Sequence, residues 1–368
     1  MDFLIGVVAE GERYWRRRDV ERRAAPTSGE PVWLLAPRKF GKSSTLKRLA
    51  TEAGDDLVVS ATVSAAASES DFFFMLYHAF QEELTTRAVC EEQTREMAER
   101  YRAALERGDR DRFDFRDEFV RALDAVVRIL NPVFLLDDAD YVFGTVRKRE
   151  GGEAAKRLFE TVADVTATRA RFVLTGLPNL PDVAEAVGAS ETLDDFREIP
   201  LPELERDEAS DYLDFLLERC DISLPAPSRE TLYETIGQLT PYTIIIVVNQ
   251  LCKLMTREDP KVATRGMVLM AAEKTLSYDS YFAPIEGALR ALFEGDEFLA
   301  ARQIIGLLAD GERATKEMDR AVEWFGVDAA DVRARLVRYG YLGEERSGRQ
   351  RLRSELFRRR LARTETSE

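Results

Sequence analysis

One stretch near the amino terminus constrains the fold more than any other. Residues 33–50 read WLLAPRKFGKSSTLKRLA, in which a short apolar run is followed by a turn containing Pro37 and Gly41 and then by a helical pattern. A short continuous apolar run is typical of a buried parallel strand, and Gly54 provides a stop for the helix. A strand, a glycine-bearing turn and a helix N-terminus can surround an anion with backbone N–H groups. The stretch therefore predicts a phosphate-binding loop.

The loop follows the pattern G-x-x-x-x-G-K-S/T, except that Ala36 stands in place of the first glycine. An alanine is costly at that position only if the backbone there needs a positive φ. We expect Lys42 to contact the β- and γ-phosphates and the hydroxyl of Ser43 to hold Mg²⁺. An ordinary strand–turn–helix connection that contains Gly-Lys-Ser by chance is the alternative. The predicted phosphate-contacting residues are Ala36, Pro37, Arg38, Lys39, Phe40, Gly41, Lys42, Ser43 and Ser44.

A second pattern places acids at the end of another predicted strand. Residues 133–140 read VFLLDDAD, so that four apolar residues precede Asp137 and Asp138. Asp137 is the expected Mg²⁺ ligand, through the water shell of the ion, and Asp138 the expected general base for an attacking water. A solvated acidic turn after a core strand is the alternative. Thr175, at the end of RFVLT, is either a sensor of the γ-phosphate or a capping residue before Gly176.

Strand and helix patterns alternate from residue 31 to residue 200, which predicts a three-layer α/β domain with a parallel sheet. A charged helical stretch at 91–130 is an insert in this domain. Residues 205–290 show helical patterns without a convincing strand, and three short helical patterns with two β-like pieces follow in residues 297–363. That last order is the winged-helix arrangement. The expected domains are residues 1–200, 201–290 and 291–368.

Composition excludes several classes of function. The formal net charge of −14 disfavours non-specific nucleic-acid binding by the whole surface. The one histidine, His78, excludes Ser-His-Asp and Cys-His catalysis and multi-histidine metal sites. Cys90, Cys220 and Cys252 lie far apart, so a disulfide framework or a zinc site is not expected. With no signal peptide or membrane span in the pattern, a soluble protein of the reducing cytoplasm is the expectation.

The chain resembles the AAA+-related STAND ATPases, in particular the archaeal-type ATPases with a C-terminal winged helix, over residues 10–362. Two further segments are similar more loosely. Trp15-Arg16-Arg17 takes the place of an aromatic-Gly-Arg motif, and Gln238-Leu239 takes the place of a glycine pair before Pro241. The resemblance implies that Arg17 and Pro241 lie near the adenine of a bound ATP. Its main motifs are APRKFGKSS, VFLLDDAD, RFVLTG and REIPLPELERDEASDYL.

The resemblance implies a molecular switch in which ATP and Mg²⁺ hold an AAA+-like core and a helical lid in one orientation. The implied partner is a protein effector, encoded nearby as in prokaryotic defence systems, or further copies of the chain. An arginine finger from a neighbouring subunit is common in AAA+ proteins. The candidates by position are Arg169, Arg171 and Arg197, each of which could equally be a solvated arginine.

The predicted winged helix leaves two kinds of partner open. Residues 331–363 contain 11 arginines and 4 acids in an otherwise acidic protein. They could contact duplex DNA, with the third helix in the major groove and the wing on phosphates, or they could pair with acids of this chain or of a partner protein. The alternatives to a switch are therefore a DNA-associated initiator or loader and a nucleotide-bound scaffold without turnover. The candidate contact residues are Arg333, Arg335, Arg338, Arg346, Arg349, Arg351 and Arg353.

Overall fold

The computed structural model describes residues 14–25, 31–54, 56–86, 99, 103, 114–127, 130–167, 170–194, 196–256 and 261–365. These residues form two compact units. The first unit comprises the described residues of Val8–Ala36 and Lys42–Leu201, and the second those of Pro37–Gly41 and Pro202–Glu368. In the described ranges, no helix combines the length and the apolar character needed to cross a membrane.

A five-stranded parallel sheet forms the centre of the first unit, with the strand order β2-β3-β4-β1-β5. The strands expected before Pro37, before Asp137 and before Gly176 are present as β1, β3 and β4, and the sheet is parallel, so the parallel α/β architecture is confirmed. Strand β1 pairs with β4 and β5 although β2 follows it in the chain, and open parallel sheets bind ligands above the carboxyl ends of strands at such a point. The strands are Val32–Leu35 (β1), Leu57–Thr62 (β2), Pro132–Asp137 (β3), Arg171–Gly176 (β4) and Arg197–Pro200 (β5).

Seven helices flank this sheet among the described residues of the first unit. Phe72, Phe73, Tyr77 and Phe80 belong to the buried core. The stacked rings of Phe134 and Phe172, 4.8 Å apart, continue that core across β3 and β4. Of the predicted insert at 91–130, the structure describes residues 99, 103, 114–127 and 130, and the remainder lies outside the described residues. The helices are Arg18–Ala24 (α1), Lys42–Glu52 (α2), Glu69–Thr86 (α3), Phe115–Val126 (α4), Ala139–Glu150 (α5), Gly152–Ala167 (α6) and Leu180–Ala186 (α7).

The described part of the second unit is largely helical. Near its end the strands Arg313–Ala314 (β6) and Arg349–Gln350 (β7) pair antiparallel. The hairpin that contains β7 turns at Ser347 and Gly348, both of which have positive φ, as a two-residue hairpin loop requires. The helices are Arg206–Cys220 (α8), Ala226–Ile236 (α9), Pro241–Met255 (α10), Arg265–Thr275 (α11), Asp279–Leu292 (α12), Gly295–Leu307 (α13), Thr315–Val322 (α14), Ala329–Arg338 (α15) and Glu355–Glu365 (α16).

A disulfide joins α8 to α10, and the expectation that the cysteines do not pair was wrong. Cys220 and Cys252 form this bond, with their Cα atoms 6.3 Å apart and 32 positions apart in sequence. Cysteine spacing is informative when both partners belong to one local motif. Here the pair forms because two helices separated by α9 pack together, a long-range contact that no local spacing encodes. Cys90 lies outside the described residues.

Candidate functional site

The phosphate loop connects the buried strand β1 to α2, which begins at Lys42. Two loop residues have the left-handed backbone that favours glycine, Lys39 with φ 69° and Gly41 with φ 96°. Ala36 is not among the residues with positive φ, so its Cβ causes no backbone strain there. The departure from the glycine pattern at Ala36 is therefore compatible with the geometry of the loop.

The side chain of Lys42 turns back toward the loop. It is buried, and its Nζ donates a hydrogen bond of 2.7 Å to the carbonyl oxygen of Ala36. This bond orients the ammonium group, which has three N–H donors. Ser43 follows at the second position of α2, where its hydroxyl belongs to the first turn of the helix. Lys42 and Ser43 thus occupy the helix N-terminus, where backbone N–H groups favour an anion.

Two acids and a threonine are held together at the carboxyl edge of the same sheet. Thr175 Oγ1 donates to Asp137 Oδ1 at 2.5 Å and accepts the backbone N–H of Asp138 at 3.0 Å. Thr175 is fully buried, so its hydroxyl has its partners inside the protein. Asp138 has φ 57° and ψ 40° and forms the N-cap of α5. Its left-handed backbone is one that aspartate and asparagine tolerate better than most residues.

The sheet order brings the loop and the acids to one edge. Strand β4, which carries Thr175, lies between β3 and β1, and Leu34 of β1 pairs in register with Thr175. The backbone N–H of Ala36 donates to the carbonyl oxygen of Gly176 at 3.2 Å, which extends this pairing into the start of the loop. The ends of β1, β4 and β3 therefore present Ala36 at the start of the loop, Thr175 and Asp137 along one edge of the sheet.

The residues near this edge that sequence reasoning missed are Asp140 and Gly176. Asp140 is buried in the first turn of α5, and a Cβ added to Gly176 would lie 3.1 Å from Leu180 Cδ2 and 3.4 Å from Asp140 Cβ. Gly176 thus permits the close approach of α5 and α7 to the end of β4. Asp140 is the third acid of VFLLDDAD and could have been noted in the sequence, but its burial depends on the tertiary packing.

Arg17 and Pro241, the two residues implied by resemblance, have clear structural positions. Arg17 is buried immediately before α1, and its backbone N–H donates to Glu21 Oε1 at 2.5 Å. In the second unit, Pro241 is the first residue of α10, and Thr240 and Thr243 form a capping box at that helix start. The proline is at the helix position where its missing N–H costs nothing.

The candidate arginine fingers that the structure describes bond within their own chain. Arg197, the first residue of β5, donates to the carbonyl oxygen of Arg23 at 2.5 Å. Arg171, the first residue of β4, pairs with Asp56 at 3.4 Å. Both lie at the amino ends of their strands, the edge opposite to Asp137 and Thr175. Arg169 lies outside the described residues.

Two arginines of α15 are fixed within the second unit. Arg333 pairs with Asp319 at 2.9 Å and donates to Gln350 at 3.3 Å. Arg335 pairs with Glu297 at 2.7 Å and donates to the carbonyl oxygen of Leu292 at 3.0 Å. These bonds join α15 to α13, α14 and the hairpin. Pairing with acids of this chain was one of the two alternatives that the sequence left open for these arginines.

The arginines of the hairpin are exposed, and two of them also bond within the second unit. Arg349 donates to the carbonyl oxygen of Glu312 at 3.0 Å, and Arg353 pairs with Glu203. Arginines on the basic face of α16 also bond within the second unit. The exposed members of the predicted contact set are Arg338, Arg346, Arg349, Arg351 and Arg353, and the bonded arginines of α16 are Arg358, Arg359 and Arg360.

Known proteins resemble the chain in part of its sequence and in its fold. Residues 29–183 match the family model described as AAA domain. A Walker-type ATPase of Pyrococcus abyssi superposes with a TM-score of 0.68 at 16% identity, covering 96% of this chain and 97% of that one. The ORC2 protein of Aeropyrum pernix superposes with a TM-score of 0.57 at 13% identity, covering 100% and 98%. Curated protein sequences give no match. Residues 29–183 are therefore similar to an AAA domain, and the chain shares the fold of these P-loop ATPase structures.

Proposed function

We propose that the chain is a STAND-type switch that binds ATP with Mg²⁺, hydrolyses it slowly and thereby controls a protein partner or its own assembly. The observation that carries this proposal is the bonding of Thr175, whose buried hydroxyl fixes Asp137 and the backbone of Asp138 beside the phosphate loop. The AAA domain match and the shared fold support nucleotide hydrolysis at this edge. The ORC2 structure of similar fold contains ADPNP and ADP, which supports an adenine nucleotide as the ligand.

The loop and the helix N-terminus would bind the phosphates through backbone N–H groups and Lys42. The Ser43 hydroxyl and the Asp137 carboxylate are hard oxygen donors, a set that suits Mg²⁺ because this ion keeps waters and phosphate oxygens as its other ligands. Bound Mg²⁺ would neutralise charge on the β- and γ-phosphates. The fixed orientation of the Asp137 carboxylate by Thr175 fits this role.

Asp138 would orient a water and accept its proton as the water oxygen attacks the γ-phosphorus. The bond between the γ-phosphorus and the bridging oxygen then breaks, and ADP and inorganic phosphate leave. An aspartate reaches less far than a glutamate, and this one has its backbone fixed by the bond to Thr175. We therefore expect slow ATP turnover. A slow rate suits a switch in which the ATP-bound state controls the partner.

The bonded arginines of the second unit support a protein partner over duplex DNA. Arg333 and Arg335, expected on a groove-reading helix, are bonded within the unit. The exposed Arg338, Arg346 and Arg351 favour the alternative of a DNA-associated initiator or loader, since they could contact phosphates. This alternative predicts turnover that rises with DNA and DNA binding that weakens with salt.

The test is ATP hydrolysis by the purified protein, alone and with duplex DNA, together with Lys42→Ala and Asp138→Asn. Asparagine tolerates the left-handed backbone of Asp138, so that variant removes charge with little strain. The control Asp164→Asn removes an exposed carboxylate on α6. We expect slow turnover that is indifferent to DNA, lost in both site variants and kept in the control. Stimulation by DNA would favour the loader, and ATP binding without turnover would favour a scaffold.

A further inference from the structure

One residue at the tip of the phosphate loop has a backbone conformation that its residue type disfavours. Lys39 has φ 69°, in the left-handed region, where a side chain crowds the backbone. Gly41 has φ 96°, so the loop uses left-handed backbone at two positions and has glycine at only one of them. A non-glycine residue keeps such a conformation where the surrounding contacts hold it. The contacts of Lys39 therefore bear on the shape of the loop.

The side chain of Lys39 lies over the ring of Tyr242. Its Nζ is 5.3 Å from the ring centroid, within the range of a cation–π interaction. Both residues belong to the second unit. The ring is buried and the lysine is half-buried, and a cation–π interaction strengthens where water is excluded. This contact opposes the cost of the left-handed backbone at Lys39.

Tyr242 is itself fixed by α10 and α12. It is the second residue of α10, whose start is fixed by the capping box of Thr240 and Thr243. Its hydroxyl donates to the carbonyl oxygen of Tyr281 at 2.9 Å. Burial raises the pKa of Tyr242 to about 12, so the hydroxyl stays protonated and remains a donor. The ring over Lys39 thus has a fixed position.

A second contact holds the start of the loop tip. Gly340, which follows α15, has φ 78°, and a Cβ added to it would lie 2.9 Å from Pro37 Cγ. The Gly340 carbonyl oxygen accepts a hydrogen bond from Gln238 Nε2 at 3.2 Å, which fixes the backbone beside the proline. Pro37 and Gly340 also belong to the second unit. The loop tip is therefore held at two positions, Pro37 and Lys39.

We propose that Tyr242 is a positioning residue for phosphate binding, because its ring holds Lys39 in the left-handed conformation of the loop. Backbone N–H groups form an anion-binding concavity when left-handed and right-handed residues alternate in this way. A loop that is already ordered binds more tightly, because binding no longer has to supply the free energy of ordering it. This inference rests on the proposed function, since it requires phosphates to occupy the loop.

The experiment measures the affinities of ATP and inorganic tripolyphosphate by calorimetric titration with Mg²⁺ present. Tripolyphosphate has the phosphates and lacks the nucleoside. We expect Tyr242→Leu to weaken both ligands by a similar factor, about three- to tenfold, because both need the ordered loop. The matched control Tyr242→Phe keeps a ring over Lys39 and should leave both affinities within about twofold.

The substitution Lys39→Gly separates this role from a general effect of Tyr242 on folding. Glycine adopts left-handed backbone without strain and carries no side chain for the ring to hold. We therefore expect Tyr242→Leu, when combined with Lys39→Gly, to change neither affinity by more than about twofold relative to Lys39→Gly alone. An equal loss from Tyr242→Leu in both backgrounds would overturn the positioning role, since a ring that only stabilises α10 acts regardless of Lys39.

The two ligands distinguish the remaining outcomes. Loss of ATP affinity alone in Tyr242→Leu would overturn the proposal, because the ring would then contact the nucleoside and not support the loop. No loss of either ligand would overturn it as well, while leaving nucleotide binding intact. A wild-type protein that binds neither ligand would overturn the proposed function together with this inference.

Discussion

Backbone angles at single residues decide which loop positions need glycine. Gly41 has φ 96°, and a Cβ added there would meet no atom within 4 Å, so an alanine would suffer backbone strain without a clash. We expect Gly41→Ala to weaken ATP binding roughly tenfold, since left-handed backbone costs other residues about 1–2 kcal/mol. Ala36→Gly should leave the affinity within about twofold, because Ala36 does not have positive φ. Titration with ATP measures both, and a large gain in Ala36→Gly would contradict this account.

The hydroxyl of Thr175 is a second feature at the scale of single residues, because it hydrogen-bonds both Asp137 and Asp138. Valine at this position would keep the shape and remove the two hydrogen bonds of the hydroxyl, to the Asp137 carboxylate and from the Asp138 N–H. We expect Thr175→Val to lose about 1–3 kcal/mol of unfolding free energy and at least about tenfold in ATP turnover. The matched control is Thr161→Val on α6, whose hydroxyl bonds only the carbonyl oxygen of Arg157. Denaturant unfolding and steady-state hydrolysis measure both, and equal turnover in the two variants would refute the role of Thr175.

At the scale of elements, one glycine allows α9 to end against the start of α16. Gly237 has φ 74°, and a Cβ there would lie 2.6 Å from the backbone N of Glu355. Since backbone cannot yield as a flexible side chain can, Gly237→Ala should destabilise the protein by more than about 2 kcal/mol. Gly287→Ala, inside α12 with open space around it, should be neutral or stabilise by up to about 1 kcal/mol. Urea unfolding distinguishes them, and similar effects of both would show that the contact is unimportant.

The disulfide between Cys220 of α8 and Cys252 of α10 is a second link between elements. Cross-linking residues 32 positions apart removes conformational freedom from the unfolded chain. We expect Cys220→Ser to lower the unfolding free energy by roughly 3–4 kcal/mol on the chain-entropy estimate. A reducing agent should lower wild-type stability to the level of the variant and leave the variant unchanged. Equal stability of wild type with and without the reductant would show that the bond does not form in solution.

At the scale of the whole molecule, some arginines bond within their own unit, whereas others are exposed to solvent. Arg335 has a side chain 20% exposed and bonds both Glu297 and the Leu292 carbonyl, whereas Arg346 is exposed at the hairpin turn. We expect Arg335→Ala to cost about 2 kcal/mol of unfolding free energy and Arg346→Ala to stay within about 0.5 kcal/mol. Thermal or urea unfolding measures this, alongside DNA binding. Loss of DNA binding in Arg346→Ala without loss of stability would argue for the loader.

The local patterns determined much of the molecule. A buried parallel strand needs a continuous apolar run, so β1, β3 and β4 could be located from the residues alone. The glycine-bearing turn before Lys42 and the acids after VFLL could likewise be placed at one sheet edge, because parallel strands end there together. These features depend on residues that are neighbours in the chain, so local patterns are enough to predict them.

Contacts between residues that are distant in the chain depend on how the helices and strands pack, and local patterns do not predict them. The pairing of Cys220 with Cys252, the use of Arg335 within its own unit and the bonding of Thr175 to Asp137 each join separate helices or strands. The spacing of the arginines in the sequence is the same whether they contact DNA phosphates or nearby carboxylates. The choice is made by which acids the fold brings within hydrogen-bond distance, and no local spacing encodes that.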